Sequence, residues 1–253
     1  MALNPKITDW RGKRVWLVGA SSGIGAATAH ELAQRGAQLA LSARRADKLQ
    51  ALNLPDALLL PCDATDSASL HSARAQLLAA WGGVDLVLYL AGDYVPMRAD
   101  SFDLATAERV LDVNFHGALR LLACVRHDLP PGGGIAFVAS VAGYRGLPKA
   151  LCYGPGKAAL IHLAEVLHFD LSPRGVGVWA INPGFVATPL TAQNDFAMPA
   201  LQTPEQAARA IANGLGTGRF EIHFPRRFSG WLKFMALLPY RWYFPLVRRL
   251  TGG

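Results

Sequence analysis

Tyr153 and Lys157 stand four positions apart in a segment with helical periodicity, so both side chains face one side and reach a common ligand. A phenol and an ammonium placed in this way can exchange a proton with a substrate oxygen. A free tyrosine ionises near a pKa of about 10, too high for efficient proton exchange at neutrality. A cation about 4 Å away at an effective dielectric of about 20 is worth roughly 4 kcal/mol, or about three pKa units. The expectation is that Lys157 makes Tyr153 a workable acid. Ser140, just after an apolar run, carries a hydroxyl able to hydrogen-bond a carbonyl oxygen and stabilise charge developing there. Asn114, on the helical segment before it, can hold a water in a proton relay reaching Lys157. In isolation Tyr-x-x-x-Lys also describes an ordinary surface pair.

A second group of residues suits a dinucleotide. Gly19-Ala20-Ser21-Ser22-Gly23-Ile24-Gly25 lies between an apolar run and a helical segment, where small residues let backbone N–H groups approach a pyrophosphate and the helix N-terminus favours negative charge. Such a loop can also be a structural turn. Nineteen residues after Gly25, Arg44-Arg45 occupy the place where an acidic residue would bind the 2′-hydroxyl of NAD. A guanidinium pairs well with phosphate, so Arg44, with Ser22, points to the 2′-phosphate of NADP; a solvated arginine pair is the alternative. Asp63 can accept from an adenine amino group or cap a turn, and Ala91-Gly92 offers a flat surface for a cofactor.

These residues need elements to position them. Strands are read at 14–18, 38–42, 57–61, 86–90, 135–139 and 177–181, and helices at 26–35, 69–81, 105–122 and 153–171. Strands alternating with helices imply a parallel sheet covered on both faces, an α/β Rossmann-type doubly wound architecture whose ligands sit beyond the carboxyl ends of the strands. The chain has 253 residues, 51% of them hydrophobic and 17% charged, and no linker or repeat divides it. Residues 1–218 read as one dinucleotide-binding and catalytic domain and 219–253 as a C-terminal aromatic and basic extension.

Together, Gly19–Gly25, Asp63, Ala91-Gly92, Asn114, Ser140-Val-Ala-Gly143, Tyr153-Gly-Pro-Gly-Lys157 and Asn182-Pro-Gly-Phe-Val-Ala-Thr188 resemble the classical short-chain dehydrogenase/reductase (SDR) family over about 12–188. The resemblance implies Tyr153 as acid and base, Lys157 tuning it and binding the nicotinamide ribose, Ser140 orienting substrate and Asn114 completing the relay. It also implies that Pro183, Gly184, Val186 and Thr188 line the nicotinamide side, and that the protein is a homo-oligomer. Three positions depart from the family pattern: Val18 replaces a threonine, Tyr89-Leu90 an Asn-Asn pair, and Gly156 a serine or alanine. The expected activity is NADP(H)-dependent hydride transfer to a carbonyl. The alternative is a non-catalytic NADP-binding scaffold or sensor.

The segment after Thr188 carries Pro189, Leu190, Phe196, Met198, Pro199 and Leu201 where the family has its substrate lid, which points to an apolar substrate. Thr203-Pro204-Glu205-Gln206 reads as a capping box. Beyond it, seven basic residues from Arg219 onward face one acid, Glu221, and contribute +6 of the net +7. They are interleaved with nine aromatic residues, and Trp231, Phe234, Met235 and Leu238 fall on one helical stripe. This extension fits either peripheral contact with an anionic membrane or packing on protein. Nucleic acid is disfavoured because no recognition module accompanies it. No apolar run reaches membrane-span length, and Cys62, Cys124 and Cys152 lack metal-ligand spacing, so the expected location is cytoplasmic.

Overall fold

The computed structural model describes residues 2–251. Seven strands form one parallel sheet: β1 (Arg14–Val18), β2 (Gln38–Ser42), β3 (Leu58–Leu59), β4 (Leu86–Tyr89), β5 (Gly134–Val138), β6 (Gly177–Pro183) and β7 (Glu221–Phe224). Their order across the sheet is β3-β2-β1-β4-β5-β6-β7. Strand order therefore reverses between β1 and β4, and a crevice opens at their carboxyl ends.

Alternation along the strands divides the core into two layers, because successive side chains leave opposite faces of a sheet. Trp16, Val87, Tyr89, Phe137 and Val178 pack on one face with Leu77 of α3 (Ser67–Trp81), Leu121 of α5 (Gly117–Val125) and Leu160 of α6 (Tyr153–Leu171). Leu17, Leu41, Leu88, Val138 and Ile181 pack on the other, with Leu32 of α1 (Gly23–Gln34) and Ile211 of α7 (Pro204–Leu215). The capping box of α7 forms as read: Gln206 N–H donates to Thr203 Oγ1 (3.2 Å) and Thr203 N–H to Gln206 Oε1 (2.9 Å).

The expected elements differ from the structure in four places. Helix α1 starts at Gly23, three residues earlier than read, so half of the glycine loop is its first turn. The third strand, reached through the short helix α2 (Ala46–Gln50), is reduced to Leu58–Leu59 at the sheet edge. The helix read over 105–122 is three pieces: α4 (Leu104–Leu111), a π-helical turn at Asp112–His116, and α5. The segment read as an extension contributes β7 to the sheet, with Ile222 and Phe224 buried in alternation. It continues as α8 (Arg226–Ala236) and α9 (Tyr240–Thr251).

Candidate active site

A cleft of about 390 Å³ opens at the switch point, between the ends of β1 and β4. Its floor depends on glycine. Gly19 has φ +101°, and a Cβ there would lie 2.3 Å from the Ala91 backbone nitrogen. A Cβ on Gly25 would lie 2.1 Å from the Gly19 carbonyl oxygen. The early start of α1 leaves the N–H groups of Gly23, Ile24 and Gly25 in the first turn, without intrahelical acceptors, and these residues line the cleft together with Ser21. Ser22 is the N-cap residue, yet its side chain makes no capping bond and is exposed at the rim. Thr188 closes over this turn, its Cγ2 2.9 Å from where a Gly23 Cβ would be.

Arg44 and Arg45 are exposed on the same cleft, and neither pairs with a carboxylate among the described residues. Asp63 also lines it, with Oδ1 accepting from the Thr65 N–H (2.9 Å) and hydroxyl (2.8 Å). Asp63 thus plays the turn-forming role open to it. Ala91, Gly92, Pro183, Gly184 and Val186 complete the lining. Orphaned amides, a glycine floor and free guanidiniums fit a dinucleotide phosphate chain.

Ser140 caps a 3₁₀ turn (Val141–Gly143), its Oγ accepting from the Ala142 N–H at 3.1 Å. Tyr153 and Lys157 open α6 and reach the same cleft. Proline at position 155 sits in the first turn, where its missing N–H costs nothing. Close packing holds this turn against Ser140's turn: a Cβ on Gly143 would lie 2.8 Å from the Lys157 carbonyl carbon.

Asn114 is fully buried within the π turn. Its amide nitrogen donates to the Asp93 (2.6 Å) and Val110 (2.8 Å) carbonyls, and its Oδ1 has no protein partner. That oxygen and Lys157 Nζ flank one small space: a Cβ on Gly92 would be 3.3 Å from the first and 3.6 Å from the second. The turn is held open by Tyr89, whose buried hydroxyl donates to the Val113 carbonyl. Burial pushes the Tyr89 phenol well above its ordinary range, so it remains a donor. The departure at Tyr89 therefore supplies a brace of its own. Tyr89→Phe should leave the Val113 carbonyl unsatisfied, costing about 1–3 kcal/mol in a urea titration, with turnover falling and cofactor affinity unchanged.

Beside the pairing that spacing predicts for Tyr153 and Lys157, burial acts on both groups. Lys157 Nζ donates to the Val138 carbonyl at 2.9 Å and stands 5.6 Å from the Tyr153 ring centroid. Burial pushes Tyr153 up to about 12, with the Ser140 hydroxyl pulling the other way, and lowers Lys157 to about 7. Desolvation is the largest influence on both groups. A consequence is testable. An unfolded lysine keeps its proton up to a pKa of about 10.4, so between 7 and that value the unfolded chain binds more protons and stability rises with pH. Relative to Lys157→Met, the ligand-free protein should gain up to about 1.4 kcal/mol per pH unit across that window, measured by chemical denaturation.

Some neighbours escape sequence reading. Tyr94 packs its ring edge-on against Tyr153 (centroids 5.0 Å, 76°) from the loop after β4. Phe185 contacts Phe196 of the lid and Phe228 of α8, both with centroids at 5.8 Å. Glu221 accepts from the Tyr144 hydroxyl (2.6 Å) and Asn182 Nδ2 (2.8 Å) and pairs with Lys233. Burial opposes ionisation of Glu221, but its bonds from Lys233, Tyr144 and Asn182 hold it below the usual carboxylate range. The Glu-Ile-His-Phe alternation of β7 is the sequence feature that could signal this network.

Residues 13–198 match the model of the short chain dehydrogenase family. The chain belongs to that family. A similar protein is an uncharacterized oxidoreductase of Myxococcus xanthus, 34% identical over 92% of this chain and 96% of its own length. A short-chain dehydrogenase of Burkholderia cenocepacia, solved in complex with NADP, is 26% identical with a TM-score of 0.77, over 85% of this chain and 97% of that one. A family member of Burkholderia phymatum, solved with NAD, shares the fold at 22% identity and a TM-score of 0.79, over 89% and 93% of the two chains. This dehydrogenase is thus an oxidoreductase acting on small molecules with a nicotinamide cofactor. Among the described residues no helix is long and apolar enough to cross a membrane, and no His, Cys, Asp and Glu group could hold a metal.

Proposed function

We propose that this dehydrogenase is an NADP(H)-dependent reductase of apolar ketones or aldehydes. The observation that carries the cofactor assignment is the pair Arg44 and Arg45, exposed on the cleft and unpaired by any carboxylate among the described residues, with exposed Ser22 lining the same cleft. Their charge suits a 2′-phosphate, and neither guanidinium can accept from a bare ribose hydroxyl. The N–H groups of Gly23, Ile24 and Gly25 would hold the pyrophosphate over Gly19, and Asp63 the adenine. Pro183, Gly184, Val186 and Thr188 would line the nicotinamide, beside Ala91 and Gly92.

Bound NADPH supplies the hydride. Ser140 donates to the carbonyl oxygen and fixes it next to the Tyr153 hydroxyl, which gives up its proton as negative charge develops. A phenol held near 12 is protonated at neutrality, which suits reduction. Lys157, near 7, exists in both forms and can return a proton to Tyr153. Asn114 Oδ1 and Lys157 Nζ together would seat a water that links Lys157 to solvent.

Phe185, Phe196 and Phe228, with Leu190 of the lid, favour an apolar substrate. Exposed Leu119 on α5 and Val166 and Phe169 on α6 favour assembly of a homo-oligomer through those helices. Three buried free cysteines suit a reducing cytoplasm, with peripheral membrane contact through the C-terminal helices. The test is cofactor oxidation across aldehydes and ketones graded from polar to long-chain. NADPH-linked turnover rising with chain length supports the assignment. Tight NADPH binding without turnover on any of them would favour the non-catalytic scaffold.

A further inference from the structure

The C-terminal helices are anchored by one face and leave another open. Arg145, in the loop between Ser140 and Tyr153, donates to the carbonyls of Ala236 (2.8 Å) and Leu238, which end α8, and its guanidinium stacks on Tyr240 (4.5 Å) and Tyr243 (4.1 Å). Tyr243 also donates to the Gly146 carbonyl (2.8 Å). Met235, Tyr243 and Val247 form the buried seam with Leu147. The helical stripe read from the sequence is accordingly split: Met235 turns inward and Leu238 is half-buried, whereas Trp231 and Phe234 stack on each other in solvent.

What remains outside is apolar and cationic. Leu237 is 82% exposed, Tyr240 67% and Trp242 61%, and the Tyr240 ring stacks on exposed Phe244. Arg226, Arg227, Arg241, Arg248 and Arg249 are exposed and pair with no carboxylate among the described residues. From Arg226 to the end the chain has no acid at all. The one acid of the region, Glu221, is already satisfied by Lys233, Tyr144 and Asn182.

We propose that α8 and α9 form a docking surface for an anionic lipid bilayer, with the exposed rings in the interface and the arginines on headgroup phosphates. Charge complementarity selects this occupant, because a second copy of the same face would bring two uncompensated sets of arginines together. Phe228, on α8, packs on Gly184 and Phe185 beside the cleft, so the docked helices adjoin the substrate side of the site. This goes further than the proposed reductase by naming the surface from which an apolar substrate would enter.

The experiment is vesicle flotation of the full chain, without substrate or cofactor, so its outcome is independent of the assigned reaction. Vesicles of phosphatidylcholine alone are compared with phosphatidylcholine mixed with phosphatidylglycerol. The protein should float with the anionic vesicles and stay in solution with the neutral ones. Tryptophan emission should shift to the blue, since Trp231 and Trp242 are the exposed tryptophans. Arg248→Glu with Arg249→Glu, at positions outside the cleft, should weaken partitioning at least about tenfold without shifting Tm. Failure to float, equal binding to both vesicles, or binding unchanged by the charge reversal overturns the proposal. So does concentration-dependent self-association that protects Trp231 and Trp242 from acrylamide without lipid.

Discussion

Tyr153→Phe should lower kcat for carbonyl reduction by about 10²–10⁴-fold, the usual worth of a positioned proton donor, while the dissociation constant for NADPH changes little. The expectation rests on how little else the substitution disturbs. The ring sits edge-on to Tyr94 at 5.0 Å, and phenylalanine keeps that contact. What is lost is the one hydroxyl that stands beside Ser140 and is protonated at neutral pH. Ser140→Ala should weaken the same step through loss of the donor to the developing oxyanion, and the double variant should cost less than the sum, because the two groups act on one oxygen. Cofactor titration by nicotinamide fluorescence, alongside single-turnover rates, separates the chemical loss from a binding loss. A Tyr153→Phe enzyme with near wild-type turnover would remove Tyr153 from the mechanism.

Arg44→Asp should reverse cofactor preference. The substitution replaces a guanidinium on a 2′-phosphate by a carboxylate that repels it and can accept from a ribose hydroxyl. Loss of a charge-assisted hydrogen bond is worth about 1.5–3 kcal/mol, so kcat/KM for NADPH should fall by about 10–100-fold before repulsion is added. NADH should improve over the same change. The side chain is exposed and makes no ion pair among the described residues, so stability should be unaffected. An unchanged NADPH/NADH ratio would leave Arg44 a solvated surface residue and shift the weight to Arg45 and Ser22.

Several site features are legible in the sequence because they follow from local periodicity. Tyr153 and Lys157 share a face because four residues make about one helical turn, and the glycine loop sits where a strand must give way to a helix. Others depend on contacts that only the folded chain brings about. The π turn that aims Asn114 is set by a hydroxyl on β4, 24 positions before Val113, and nothing in the helix segment itself announces it. The ionisation of Tyr153 and Lys157 also turns on burial, which spacing does not specify. Tyr94 reaches the site from an irregular loop with no period to read. β7 is masked in the sequence because its four residues are too few to set a clear period and lie in a segment dominated by aromatic and basic residues.

Hydride transfer from NADPH to a carbonyl within this cleft is the central proposal. The measurement that addresses it most directly uses NADPH dideuterated at the nicotinamide C4 position and the best carbonyl acceptor from the graded panel, with mass spectrometry of the product. One deuterium at the new carbinol carbon, for each NADPH oxidised, is the predicted result. Unlabelled alcohol, or oxidation of NADPH with no alcohol formed, would contradict it.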